Sequence, residues 1–146
     1  ENLLCGDFFG CRLFSLVPGV LGRTGIEPEL LIKAAAEKLS PAGIILIDSL
    51  VSEDIESICR TVQLSDCGLA PGSGFGKTKT ALSEKTLGVP VIAVGTPTVA
   101  SLSDCGFVSP DDIDFLIKRC AKLVSCAVSL AVFPKAELDF IKGIIL

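Results

Sequence analysis

Asp48 closes the apolar run Gly43-Ile44-Ile45-Leu46-Ile47-Asp48. Continuous apolar runs of this length suit a parallel strand buried on both faces. In open α/β sheets, ligands and catalytic groups gather at the carboxyl ends of such strands. A carboxylate at that end is partly desolvated, which raises its pKa and suits it to acid–base work. A second reading is that Asp48 accepts hydrogen bonds from the following turn or helix, and the residues alone leave both open. Other groups fall at comparable places. Thr96 and Thr98, in Gly95-Thr96-Pro97-Thr98, follow a second apolar run, and Asp66 ends the alternating stretch 61–66. Glu27 follows a Thr24-Gly25 turn, where it either faces the same edge or serves as an acid at a helix start.

The sequence contains no His. Within these residues there is no Ser-His-Asp triad and no Cys-His pair, so acid–base chemistry falls to carboxylates, Lys or a thiolate. There are seven Cys residues and none stands in a C-x-x-C pair. No zinc site is expected from that spacing, nor any other metal or cofactor. Cys67 lies beside a Gly-rich loop but lacks a base to activate it. The cysteines read as free thiols used as small hydrophobes in a reducing cytosol.

The Gly-rich loop itself, LAPGSGFGKTKTALS at 69–83, comes close to a phosphate-binding pattern. Gly76-Lys77-Thr78 supplies the end of that pattern, but its opening Gly would be residue 71, which is Pro71. Pro has no N–H to offer a phosphate. Gly72, Ser73 and Gly74 are better read as letting the backbone turn tightly at the edge of the site.

Composition sets wider bounds. The chain has 146 residues, 49% of them hydrophobic, with mean hydropathy +0.64. The longest apolar stretch, 116–133, is interrupted by Lys118, Arg119 and Lys122, so no membrane span is expected. The net charge is −4 and no basic run occurs, which argues against nucleic-acid binding. A single cytoplasmic α/β domain over 1–146 is expected, with an apolar surface used for self-association.

The elements expected to position these groups alternate between helix and strand. Residues 1–9 read as the tail of a helix and 14–20 as a strand entering a Pro-Gly turn. Helix is expected over 26–39, strand over 43–48 and a short Ser52-capped helix over 52–60. Strand follows at 61–66, helix at 81–87 and strand at 89–95. Long helices are expected from Ser109-Pro110 to about Val132 and over 134–145. This order predicts a three-layer α/β sandwich: a mostly parallel, twisted sheet with helices on both faces.

Four segments then point to a family. PGVLGRTGIE (18–27), LIDSL (46–50), TVQLSDCGLAPGSGFGKTKTALSEKTLGVPVIAVGTPTV (61–99) and VSPDDIDFLI (108–117) resemble the germination proteases of spore-forming bacteria, in order and spacing. The resemblance implies an aspartic-type endopeptidase, made as a zymogen, that degrades small acid-soluble spore proteins in the spore core. It also implies a homo-oligomer and a fold like that of the hydrogenase maturation proteases. It assigns Asp48 as one catalytic carboxylate. The other belongs to a family segment, with a Gly-Leu-Gly-Asn turn, that has no counterpart in these residues; the expected domain therefore lacks the family's first strand. Where the family usually carries Arg, His and Asp, this sequence carries Glu53, Ala70 and Ser101. A working peptidase and a catalytically degenerate structural or binding relative are the two functions this pattern allows.

Overall fold

The structure, a computed structural model, describes residues 3–8, 11–72, 80–103, 106–133, 139 and 143. It forms two compact units, residues 1–16 with 110–146 and residues 17–109. The expected helix over 134–145 lies outside the described residues apart from 139 and 143.

In the first unit, β1 (Leu3–Phe8) and β2 (Cys11–Leu16) form an antiparallel hairpin, with Leu3 opposite Leu16 and Phe8 opposite Cys11. This replaces the helix tail expected over 1–9. Gly6 and Asp7 disfavour a helix interior, and the Leu- and Phe-containing runs LLCGDF and CRLFSL suit paired strands. The same unit holds a 20-residue helix, Ile113–Val132, here α4. It starts where the Ser-Pro-Asp-Asp stretch predicts, within a few residues.

The second unit carries the site. A short helix α1 (Leu21–Thr24) ends at Gly25, and α2 (Pro28–Leu39) begins on Pro28. Pro at the first turn has no N–H to leave unpaired. The strands are β3 (Ile44–Ser52), β4 (Gln63–Ser65), β5 (Val91–Leu102) and β6 (Gly106–Val108), with α3 (Glu84–Leu87) before β5. β5 is central. It pairs in parallel with β3 on one edge and antiparallel with β4 and β6.

The chain is thus a mixed α/β fold with an open sheet and helices. Among the described residues one of the sheet's three pairings is parallel, where the sequence predicts a mostly parallel sheet. The reason lies in the connections. Residues 53–62 and 103–105 are too short for a helical crossover, so each returns the chain antiparallel.

Burial is also one-sided. Ile44 and Leu46 of β3 and Val91 of β5 pack with Leu82, Leu69, Ile32 of α2 and Leu87 of α3. On the opposite face Ile47 is 60% exposed, Ile92 51% and Leu64 72%. The expectation of strands buried on both faces holds at the centre of β5, where Ala93 and Val94 are both buried, and fails at Ile47 and Ile92. The expected helix over 52–60 shrinks to a single 3-10 turn, Ile55–Ser57. Ser52 remains in the strand, and Asp54 caps the turn by accepting from the Glu56 N–H at 2.9 Å. Cys59 then enters the left-handed region, at φ 53°, which a helix cannot continue through.

The Gly-rich segment is tied to this core at its first residues. Leu69 and Leu82 exchange backbone hydrogen bonds, 3.0 and 2.7 Å long, and Leu82 is fully buried. Gly68, at φ +82°, lets the chain pass there, because a Cβ would run into the Leu82 carbonyl. Gly68→Ala therefore meets backbone rather than a side chain that can move aside. It should destabilise the protein by about 2–4 kcal/mol, read as a lowered urea midpoint with an unchanged slope; an unchanged midpoint would contradict this packing.

Candidate active site

Asp48 sits in β3 directly opposite Gly95 of β5. It does not end its strand, as the sequence predicts, because β3 runs on to Ser52. The Asp48 side chain is half-buried, and its Oδ1 accepts from the Ser49 N–H at 2.9 Å. By the strand period of two, Asp48 shares the face of Leu46 and Ile44, over which the core cluster packs. It is the polar continuation of an apolar row.

Gly95 is the residue this row requires. A Cβ there would lie 2.7 Å from Leu50 Cγ. Leu50 covers the space beside Asp48's neighbour on β5, and only Gly leaves room for it.

Two residues further along, the ladder breaks. Leu50 is opposite Pro97, but Val51 is opposite Val99, so Thr98 is an extra residue on β5. Pro97 has no N–H for the ladder, which is why a strand carrying it bulges there. The bulge is pinned on both sides. The Pro97 carbonyl accepts from the Cys59 N–H at 2.8 Å. The Thr98 carbonyl accepts from the Ser109 hydroxyl at 3.1 Å. Pro97 itself is fully buried.

The structure therefore brings Asp48, Thr96 and Thr98 onto one pair of strands, with Thr96 opposite Ser49. It does not bring Asp66 to them. Gln63 of β4 pairs with Gly95 and Ser65 with Ala93, so Asp66 lies toward the opposite end of the sheet. Three residues along and two strands across place it roughly 14 Å from Asp48. Its Oδ1 accepts from Cys67 Sγ at 3.4 Å. Glu27 is the N-cap residue of α2, half-buried, with its carbonyl accepting from the Leu30 N–H at 3.0 Å. Gly72 takes φ +71° in the Pro71-Gly72 turn. Ser73 and Gly74 lie outside the described residues.

Sequence reasoning passed over Glu29, which is only 9% exposed. The signal was available: 29, 32, 36 and 39 form one stripe of α2, so Glu29 heads its inward face. It also passed over a cleft of about 630 Å3 where β3 and β5 end, lined by Val51, Ser52, Glu53, Ser101, Leu102 and Ser103. Glu53 and Ser101, two positions that depart from the resembled pattern, meet there. Among the described residues no three His, Cys, Asp or Glu side chains converge to hold a metal ion. No helix among them is long and apolar enough to cross a membrane.

The Leu50–Gly95 fit gives a direct check. Gly95→Ala should cost about 1–3 kcal/mol by displacing Leu50, measured by thermal unfolding. Melting at the wild-type temperature would mean that Leu50 does not need that space.

Comparison with known proteins relates the chain to one family. A family model described as germination protease matches residues 10–131. The chain is similar to the germination protease of Clostridium tetani, with 46% identity over 106 residues, 73% of this chain and 32% of that protein. It is 44% identical to the germination protease of a Geobacillus strain, over 72% of this chain and 27% of that protein. Against the germination protease of Priestia megaterium the identity is 45%, over 72% of this chain and 28% of that protein. The aligned region thus spans about a third or less of the length of these curated relatives.

Proposed function

This chain belongs to the germination protease family, and from that premise we propose that it forms part of an aspartic-type endopeptidase acting on small acid-soluble spore proteins. The observation that carries the reading is Asp48, held half-buried on a parallel strand pair, two residues before a pinned bulge. Bulges often stand beside active sites, where they re-aim side chains.

In this reading Asp48 is one of two carboxylates around an attacking water. One takes the water's proton while the other protonates the leaving nitrogen; close carboxylates suit the task because they cannot both ionise easily. The partner acid is expected from the family segment with the Gly-Leu-Gly-Asn turn, beside β3. β3 supports that arrangement, since among the described residues it pairs only with β5. Thr98, in the bulge, would line the substrate's approach, with Glu27 and Gly72 at the margin, whereas Thr96 pairs with Ser49 and so belongs to the other face of the sheet.

We also propose a homo-oligomer, working in the cytoplasm of the spore, in which a further layer covers the apolar face formed by Ile47, Leu64 and Ile92 and completes a three-layer sandwich. An open strand edge and an exposed apolar face together favour association. A monodisperse monomer in sedimentation would contradict this part.

A second reading, a degenerate relative that binds without cutting, draws on Glu53, Ala70 and Ser101. One assay separates the two. A purified small acid-soluble spore protein is incubated with the chain joined to the family segment that carries the second acid, and with the same protein carrying Asp48→Asn. The peptidase reading predicts specific fragments, formed at least about 100-fold more slowly by the variant. Absence of fragments from both proteins favours the degenerate relative; equal cleavage by both removes Asp48 from the mechanism.

A further inference from the structure

We propose that the buried carboxylate of Glu29 is a positioning residue for Asp48: approaching it from α2, it keeps Asp48 in the protonated form, the acid of the pair, and leaves the base role to the carboxylate of the family segment. The division of roles rests on the peptidase reading above; the coupling between Glu29 and Asp48 does not.

The placement follows from the core. Residues 40–43 alone separate α2 from β3, and so short a connection returns the chain in the opposite direction. The first turn of α2 therefore stands at the carboxyl end of β3. Ile32 packs on the cluster that holds Leu46, which fixes the level. One turn back from Ile32 along the inward stripe is Glu29, about 4.5 Å along the helix axis. Two residues on from Leu46, on the same face of β3, is Asp48, about 6.6 Å along the strand. Both steps lead the same way, so the two carboxylates come to one end of the same helix–sheet layer.

Both are withdrawn from water. Glu29 is buried with its Oε2 enclosed, and Asp48 is half-buried. An acid in the first turn of a helix is ordinarily solvated and answers the dipole from outside. Glu29 instead occupies the stripe of Ile32 and Ala36, where an apolar residue would pack without the cost of desolvating a charge. Departures of this kind from the apolar pattern concentrate at functional sites.

The surrounding charges decide which carboxylate holds a proton. On α2, Glu29 lies in the first turn, where the dipole favours negative charge, and four residues before Lys33, the spacing and order at which an acid and a base on a helix attract. Glu27 at the N-cap adds a second acid to that helix end. β3 has no other titratable side chain, β5 has none over 91–102, and β4 contributes Gln63, Leu64 and Ser65. Glu84 and Lys85 of α3 are exposed and of opposite sign. The strands therefore bring no cation to Asp48 among the described residues. The Ser49 N–H at its Oδ1 favours the anion, and the negative charge of Glu29 opposes it. Two carboxylates in one desolvated site do not both ionise easily, and here Asp48 is the one left with the proton.

In the reaction this sets a direction. The carboxylate of the family segment takes a proton from water as the water oxygen bonds to the scissile carbonyl carbon. Asp48 gives its proton to the nitrogen as the C–N bond breaks. One proton leaves water and one reaches nitrogen, so the pair ends with the single proton it began with. Glu29 exchanges none of them and acts only through Asp48.

The test reads protons, so it does not depend on cleavage. The whole chain, labelled with 13C and 15N, is titrated with acid and base while the Asp48 carboxyl carbon is followed by nuclear magnetic resonance. Asp48 should change charge at least about one pH unit above the ordinary Asp value. Glu29→Gln removes the charge at nearly constant shape and should lower that midpoint by about one pH unit, a ten-fold change in proton affinity. Glu29→Asp keeps the charge and should keep most of the effect, which a merely structural role would not do. In the chain joined to the family segment, the alkaline limb of kcat/KM should move to lower pH by the same amount in Glu29→Gln. An Asp48 midpoint in the ordinary range in the wild-type chain, or one indifferent to Glu29→Gln, would overturn the coupling. Should Glu29→Gln not fold, an ordinary midpoint in the wild type or in Glu29→Asp overturns it instead. If the titration is coupled but spore proteins are not cut, the peptidase reading fails and the coupling stands.

Discussion

The parallel pairing of β3 with β5 is the constraint on which the site depends. It sets Asp48 against Gly95, brings Thr96 opposite Ser49 and carries both strands past the core to the cleft. Parallel strands cannot be joined by a tight turn. The intervening residues must leave the pair and return, and they build β4, α3 and the Gly-rich segment on the way. One non-local ladder therefore fixes the placement of groups as far apart in sequence as Glu53 and Ser101.

Within that ladder, two residues with unusual backbones do opposite things. Gly95 yields space, so that Leu50 can lie across the strand beside Asp48. Pro97 withholds a donor, so the ladder skips Thr98 and shifts register. The carbonyls freed at this point are taken up by Cys59 and Ser109. A buried break in a sheet is tolerated only when its polar groups find such partners.

Much of this was legible in the sequence. The apolar run ending in Asp48 located the strand β3, Pro28 located the start of α2, and Ser-Pro-Asp-Asp announced α4. What could not be read was non-local. Asp48-Ser49 interrupts the apolar run, so residues 49–52 do not read as its continuation, and pairing with the second half of β5 makes them strand. The hairpin of β1 and β2 was missed for the same reason: Leu3–Phe8 is a strand because Cys11–Leu16 lies beside it. The helix expected at 52–60 failed locally, on the left-handed backbone of Cys59. Glu29 does not stand out in the sequence because an acid near a helix start is so readily explained by the dipole, although its stripe on α2 faces inward. The cleft joins residues from two strand ends, so only the register reveals it.

The register is also the most direct thing to measure. Cross-strand nuclear Overhauser contacts and couplings through hydrogen bonds, recorded on the labelled chain, would map β3 against β5 residue by residue. The account predicts Asp48 opposite Gly95 and Leu50 opposite Pro97, then Val51 opposite Val99 with Thr98 skipped. An unbroken register, with Val51 opposite Thr98, would turn the far half of β5 over. It would carry Ser101 to the other face of the sheet and remove the bulge that follows Asp48.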